Sequence, residues 1–264
     1  MVKSIKIYNN FNINLSHQRS IILIGNFDGL HLGHQKLFEL AKRYKKKYSL
    51  KVGVLTFEPM PKMFFNNNLK NFRISNQKQK VNLLKKFDVD FVILKKFDKK
   101  FSKTKSISFI KSVLSKKIKA KFIFVSNNFR FGNKREGNVK QLIKYETLCK
   151  YKIVKPKPLL RNKKVISSSL IRKLIQNGKI KQVNSFLNRE WSIEGKVQKG
   201  RQLGKKIGFP TANIDIENYV LAKPGVYAVK AKKYNSSKFI KGIANLGYRP
   251  TFNQKKLLLE VHLF

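Results

Sequence analysis

Cysteine is nearly absent from this chain, since Cys149 is the only one among 264 residues. A single cysteine excludes an internal disulfide and predicts a reducing, cytoplasmic location. No run approaches the roughly 18 uncharged apolar residues that a membrane-spanning helix needs. The first segment, Met1–Asn10, alternates charged and apolar residues and has no signal-peptide core. The sequence therefore predicts a protein that is not associated with a membrane.

Acidic residues are also scarce: 13 Asp and Glu stand against 59 Lys and Arg, which gives a net charge of +46. Such a charge is compatible with nucleic-acid binding. We prefer to interpret it as compositional drift, because Lys, Asn, Ile and Phe are abundant throughout and the lysines form no tail or stripe. We expect no specific nucleic-acid partner, but a general affinity for polyanions that falls with salt.

Apolar residues make up 42 % of the chain, which is enough for a substantial core. In the first two thirds, apolar runs typical of buried strands alternate with amphipathic segments typical of helices. The predicted strands are Ser20–Ile24, Leu50–Thr56, Phe91–Leu94 and Phe122–Val125. The predicted helices follow Gly33, Ser75, Lys105 and Asn138, and two more end near Gly178 and Leu187. This alternation predicts a Rossmann-like α/β domain with a parallel sheet and right-handed crossovers.

The pattern changes near Glu190. From Trp191 onward, short β-prone runs are separated by Gly and Pro, as in "GVYAVKAKKY" and "FIKGIANLGY". This texture predicts a small antiparallel β-barrel. We therefore predict two domains, residues 1–187 and residues 188–264.

The stretch "GNFDGLHLGH" follows the first predicted buried strand and precedes an amphipathic helix. Gly25 allows a ligand to approach the strand end, and Gly29 and Gly33 permit a tight turn into the helix. The helix N-terminus suits phosphate, and His31 and His34 share one helix face toward it. H-x-G-H alone is as compatible with two incidental histidines, but the strand and helix around it favour a nucleotide site.

This arrangement resembles the nucleotidyltransferase superfamily, and "GNFDGLHLGH" resembles the adenylyltransferase module of the bacterial bifunctional riboflavin kinase/FAD synthetases. Three later segments resemble further motifs of that family in the same order. "TFEPMP" has Met60 where the family has histidine, and "VSNNFRFG" has Ser126 and Asn127 where glycine and usually an acidic residue stand. "ISSSLIR" has Ser169 in place of threonine.

The resemblance implies that FMN attacks the α-phosphorus of ATP, giving FAD and pyrophosphate, with Mg²⁺ present. It implies catalytic roles for His31, His34 and Arg172. It implies nucleotide or flavin binding by Gly25, Phe27, Asp28, Gly29, Gly33, Asn128, Phe129, Ser168 and Ser169. Two of these assignments have alternatives, since the serines also suit helix capping and Phe129 also suits ordinary packing.

The most specific segment of the C-terminal part is "GKKIGFPTAN". Gly204 and Gly208 allow the backbone to close over phosphates. Thr211 and Asn213 present two oxygens on one side of an extended segment, which suits Mg²⁺. An ordinary Gly/Pro turn is the alternative for these residues.

This segment resembles the riboflavin kinase signature, with Lys205 in place of arginine, and "KPGVYAV" and "GIANLGYRPTF" resemble the next two motifs of that family. The resemblance implies that Glu260, in "LLLEVHLF", is the general base that takes the proton from a ribityl hydroxyl. His262 is expected to be a flanking surface residue. Because family members generally continue through another strand and a helix, we expect the kinase barrel to be shortened at its C-terminus.

The resemblance therefore implies a cytoplasmic enzyme that converts riboflavin to FMN and FMN to FAD, with ATP as co-substrate and Mg²⁺ as cofactor. Three alternatives remain: an FAD synthetase with an inactive kinase module, another adenylyl- or cytidylyltransferase, and a decayed scaffold that binds polyanions. The sequence does not predict an oligomeric state.

Overall fold

The computed structural model describes residues 4–66, 68–161, 163–198, 208–216, 218–234, 236–251 and 254–264, and the side chains of 248–257 are not described. It divides into two compact units. The first unit comprises Met1–Leu69 and Gln77–Ser168, and the second comprises Lys70–Asn76 and Ser169–Phe264.

The first unit is built on a six-stranded sheet in which every pair of neighbouring strands is parallel. Its strands are β1 (Lys6–Tyr8), β2 (Ile21–Ile24), β3 (Val52–Glu58), β4 (Phe91–Lys96), β5 (Phe122–Phe124) and β8 (Lys152–Val154). Two short hairpins add β6 (Arg130–Phe131) with β7 (Gly137–Asn138), and β9 (Leu160–Arg161) with β10 (Lys164–Val165). The predicted parallel α/β domain is confirmed.

Helices connect these strands. They are α1 (Leu32–Tyr48), α2 (Pro61–Phe65), α3 (Gln77–Lys85), α4 (Lys99–Ser102), α5 (Ser106–Ser108), α6 (Val139–Lys144) and α7 (Glu146–Cys149), with 3₁₀ turns at Leu15–His17 and Asn133–Arg135. After α5 the chain continues as a π-helical segment, Phe109–Lys117. Two apolar clusters pack between helices and sheet, and β2 is buried along its whole length. No helix in the described part of the chain is both long and apolar enough to span a bilayer.

The strand order of the sheet is β1-β4-β3-β2-β5-β8. From β2 the chain moves outward to β3 and β4, and then returns to the other side of β2 with β5. Such a reversal opens a crevice at the carboxyl ends of the two strands beside it, which is where open α/β sheets bind ligands. The turn that carries the two histidines leaves β2 at this crevice.

The second unit contains α8 (Ser168–Gln176, of which Ser168 is counted with the first unit), α9 (Ile180–Leu187) and a five-stranded antiparallel sheet. The strands are β11 (Val197–Gln198), β12 (Ala212–Ile214), β13 (Gly225–Ala231), β14 (Ile240–Thr251) and β15 (Gln254–Leu263), in the order β11-β12-β15-β14-β13. The antiparallel sheet is confirmed. The closed barrel, its shortening and the boundary at 187–188 stay predictions.

Three of the features that were not predicted concern the edges of the first sheet, the buried face of α3 and the segment Lys70–Asn76. The strands β1 and β8 at the sheet edges are too short to give a clear pattern. In α3 the buried residues are Gln79, Lys80 and Leu84. The segment Lys70–Asn76 belongs to the second unit because Arg73 forms a backbone hydrogen bond with Asn218 and another with Val220.

Gly53 in β3 makes room for Phe91 on β4, its register partner. A Cβ atom at Gly53 would overlap the Phe91 ring, which is fully buried and stacks on His17 with 4.5 Å between ring centroids. We expect Gly53→Ala to lower the free energy of unfolding by about 1–3 kcal/mol, as overpacked cores do. Urea denaturation of the whole chain would measure this loss.

The matched control is Gly247→Ala in β14, where a Cβ atom would meet the Asn245 amide at an ordinary 3.8 Å. Equal losses of stability in the two variants would contradict the packing argument.

Candidate functional site

The turn between β2 and α1 contains three residues with a left-handed backbone conformation. Phe27, Gly29 and Leu30 have φ values of 48°, 76° and 37°, in the left-handed region that glycine adopts most easily. Side chains stabilise the turn by hydrogen bonds to its carbonyls. Gln35 Nε2 donates to the Leu30 carbonyl over 2.9 Å, and Ser168 Oγ donates to the carbonyl of the buried Asp28 over 3.0 Å.

His31 is the N-cap residue of α1, and its carbonyl accepts hydrogen bonds from the backbone N–H groups of His34 (2.7 Å) and Gln35 (3.0 Å). The His31 and His34 rings stack with 3.7 Å between centroids and 22° between planes. Gly33 allows this arrangement, since a Cβ there would approach both the His31 ring and the Ile166 carbonyl to 3.2 Å. The predicted placement of both imidazoles at a helix N-terminus is therefore what the structure contains.

His34 is neutral near pH 7. The pKa of His34 lies well below its usual value. Burial is the larger cause, and the nearby His31 is the smaller one. The Phe27 ring packs edge-on against the His34 imidazole, with 5.2 Å between the ring centroids. His34 Nδ1 is buried and, among the residues that the structure describes, has no hydrogen-bond partner. A neutral imidazole can donate one N–H to a phosphate oxygen without carrying a permanent buried charge.

Two residues that the sequence did not single out contact the same turn. Lys80 is 3 % exposed, and its ammonium donates to Thr56 Oγ1 (3.2 Å) and to the Asn26 carbonyl (3.4 Å). Thr56 itself lies in β3 and also donates to the Asn26 carbonyl (3.4 Å). Thr56 was visible only as part of "TFEPMP". Lys80 gave no signal, because it is one of three lysines in α3 and lysine is abundant throughout the chain.

Three other residues predicted for this unit are Gly25, Asn128 and Phe129. Gly25 donates its N–H to the Leu55 carbonyl, which continues the β2–β3 pairing. Asn128 is exposed on the loop after β5, the neighbour of β2, and its Oδ1 accepts a hydrogen bond from Ser126. Phe129 stacks on Phe131 with 5.5 Å between centroids and packs against the core. Phe129 thus packs against the core, and its role in flavin binding stays a prediction.

Ser169 and Arg172 belong to the second unit. Ser169 is exposed in the first turn of α8. The Arg172 guanidinium lies 3.6 Å above the Phe72 ring, and its Nε donates to the Phe72 carbonyl over 2.7 Å. Met60, where the family motif has histidine, is buried and begins α2 as its N-cap residue.

In the second unit, the antiparallel register brings Asn213 and Glu260 together. They are directly paired residues on β12 and β15, so their side chains share one face of the sheet with Cβ atoms about 5 Å apart. Asn213 Oδ1 is buried and, within the described part of the chain, accepts no hydrogen bond. A buried carboxamide oxygen without a donor is a suitable ligand for Mg²⁺.

Thr211 is exposed just before β12, two residues from Asn213. Gly208 has a φ of 81°, which favours glycine, and Gly204 lies outside the described residues. His262 has a role that the sequence missed, because its Nδ1 lies 2.8 Å from the Pro210 carbonyl and so fixes the segment before Thr211.

Comparison with protein families gives two matches. The FAD synthetase family matches residues 13–170, and the riboflavin kinase family matches residues 187–264. A bifunctional riboflavin kinase/FMN adenylyltransferase of Buchnera aphidicola is 40 % identical over 255 residues, which cover 96 % of this chain and 81 % of that protein. The Escherichia coli K12 protein of the same name is 34 % identical, over 92 % of this chain and 77 % of its own.

Among solved structures, a crystal structure described as a macrolide-efflux protein from Streptococcus pneumoniae aligns with 98 % of this chain and 84 % of its own chain. Its TM-score is 0.83 and its sequence identity is 26 %. This likeness supports the folds described above.

The lowered pKa of His34 predicts a pH dependence of stability. In the unfolded chain a histidine binds a proton near pH 6.5, whereas the buried His34 does not. The free energy of unfolding should therefore fall as the pH drops below about 6.5. In His34→Asn this fall should be shallower by up to about 1.4 kcal/mol per pH unit. Urea denaturation of both proteins between about pH 7.5 and 5.5 measures the difference, and parallel curves would refute it.

Proposed function

This chain belongs to the family of bifunctional riboflavin kinase/FMN adenylyltransferases, and we propose how its two modules divide the work. It phosphorylates riboflavin to FMN and adenylylates FMN to FAD, with ATP as co-substrate in both reactions. We assign the second reaction to an adenylyltransferase module, residues 1–187, and the first to a kinase module, residues 188–264, with a riboflavin kinase barrel. The observation that carries the proposal is the pair of family matches, each over one of these segments.

In the adenylyltransferase module, a phosphate oxygen of FMN attacks the α-phosphorus of ATP, and the bond to pyrophosphate breaks. The reaction needs positioning and neutralisation of developing negative charge rather than a covalent nucleophile. The N-terminus of α1, with His31 and His34 stacked beside it, supplies N–H donors for the phosphate oxygens. Its place at the strand-order reversal supports this role. We further propose that four other residues bind the substrates of this reaction: Asn128, Ser168, Ser169 and Arg172.

In the kinase module, a ribityl hydroxyl attacks the γ-phosphorus of ATP, Glu260 takes the hydroxyl proton, and ADP leaves. Thr211 and Asn213 are the proposed Mg²⁺ ligands, and the buried Asn213 oxygen fits that role. When bound, Mg²⁺ neutralises charge on the nucleotide phosphates. The proposal includes a cytoplasmic location, where ATP and reduced Cys149 are expected.

A direct assay tests both activities. Purified protein is incubated with Mg-ATP and either riboflavin or FMN, and the flavins are separated by chromatography. We expect FMN and then FAD from riboflavin, and FAD from FMN. If FMN is converted to FAD but riboflavin is not converted to FMN, the kinase assignment is overturned. If neither substrate gives a product and the protein binds polyanions in a salt-sensitive way, both assignments are overturned.

Two variants test the division of labour and serve as each other's control. His31→Ala should lower FAD formation by about 10²–10³-fold, because it removes a donor that stabilises charge in the transition state, and should leave FMN formation intact. Glu260→Gln should lower FMN formation by about 10²–10⁴-fold, because it removes the base, and should leave FAD formation from FMN intact. Loss of both activities in either folded variant would show that the modules do not act separately.

A further inference from the structure

A third polar side chain lies in line with Asn213 and Glu260. Glu260 on β15 pairs with Asn213 on β12 at one side and with Asn245 on β14 at the other. Directly paired residues in an antiparallel sheet point to the same face. The three side chains therefore form one row across three neighbouring strands, with Glu260 in the middle.

The face around Asn245 is accessible. Asn245 is exposed, whereas its strand neighbours Ala244 and Leu246 are buried on the other face. Gly247, the next residue of β14 on the same face as Asn245, has no side chain, and a Cβ there would lie 3.8 Å from both polar atoms of the Asn245 amide. Asn245 thus presents a hydrogen-bonding group beside Glu260 at an exposed position of the sheet.

If the proposed kinase function is correct, the nucleotide and the acceptor molecule lie on opposite sides of Glu260 along this row. In phosphoryl transfer the nucleotide and the attacking hydroxyl reach the phosphorus from opposite sides. The nucleotide end is assigned to Asn213 and Thr211, on one side of Glu260. The rest of the acceptor molecule must then extend to the other side of Glu260, where Asn245 lies.

We propose that Asn245 is a substrate-binding residue of the kinase site that hydrogen-bonds the 4′-hydroxyl of riboflavin, next to the 5′-hydroxyl that Glu260 deprotonates. A carboxamide can both donate to and accept from a hydroxyl, which suits a polyol chain. Neighbouring hydroxyls of the ribityl chain then meet neighbouring side chains of the row. This inference rests on the proposed function.

Steady-state kinetics of FMN formation tests the inference. Asn245→Ala should raise KM for riboflavin about tenfold, which is the effect of one lost hydrogen bond, while KM for ATP stays unchanged. Ile243→Ala is the matched control, since Ile243 is a partly exposed residue on the same strand and face that pairs with His262 rather than with Glu260. FAD formation from FMN should be unchanged in both variants.

A substrate analogue separates binding from a structural effect. With 4′-deoxyriboflavin, the wild-type protein should lose about tenfold in kcat/KM relative to riboflavin, whereas Asn245→Ala should show almost no further loss. Equal losses in the two proteins would overturn the inference while leaving the kinase function standing. If the wild-type protein makes no FMN from riboflavin, the proposed function fails and the inference fails with it.

Discussion

The pairing of β2 with β3 on one side and with β5 on the other is the constraint on which the first site depends. Because the strands are parallel, their carboxyl ends lie at one edge, and because the strand order reverses at β2, a crevice opens there. The turn with the two histidines and the loop after β5 leave the sheet at this edge, and Thr56 of β3 contacts that turn through the Asn26 carbonyl. A different neighbour for β2 would disperse these groups although every motif stayed intact.

The polar groups at this turn are fixed by bonds to backbone carbonyls. Ser168 contacts the Asp28 carbonyl, Gln35 the Leu30 carbonyl, and Lys80 the Asn26 carbonyl. Buried polar groups are tolerated only when such bonds replace water, and an ammonium is the most costly of them to bury. The turn is therefore shaped before a nucleotide arrives, which is the condition under which fixed N–H donors stabilise a transition state most.

The second unit positions its polar groups by a different physical rule. In an antiparallel sheet the register decides which side chains face each other, and here it places Asn213, Glu260 and Asn245 in one row. A slip of one residue in β15 would turn Glu260 to the other face. The site in this unit thus depends on strand register, whereas the site in the first unit depends on strand order.

The sequence by itself determined the elements and the residue types of the sites, because these are local patterns. They include buried runs that alternate with helices, glycines at the turn, and histidines at a helix N-terminus. Two of the three residues of the row were also identified from their motifs, and all these patterns need only neighbouring residues to be recognised. Only the tertiary structure decided that Lys80 is buried, that His262 contacts the Pro210 carbonyl and that Asn245 adjoins Glu260. These facts depend on which distant segments pair and in what register, and such pairing is set by packing of the whole sheet rather than by local sequence.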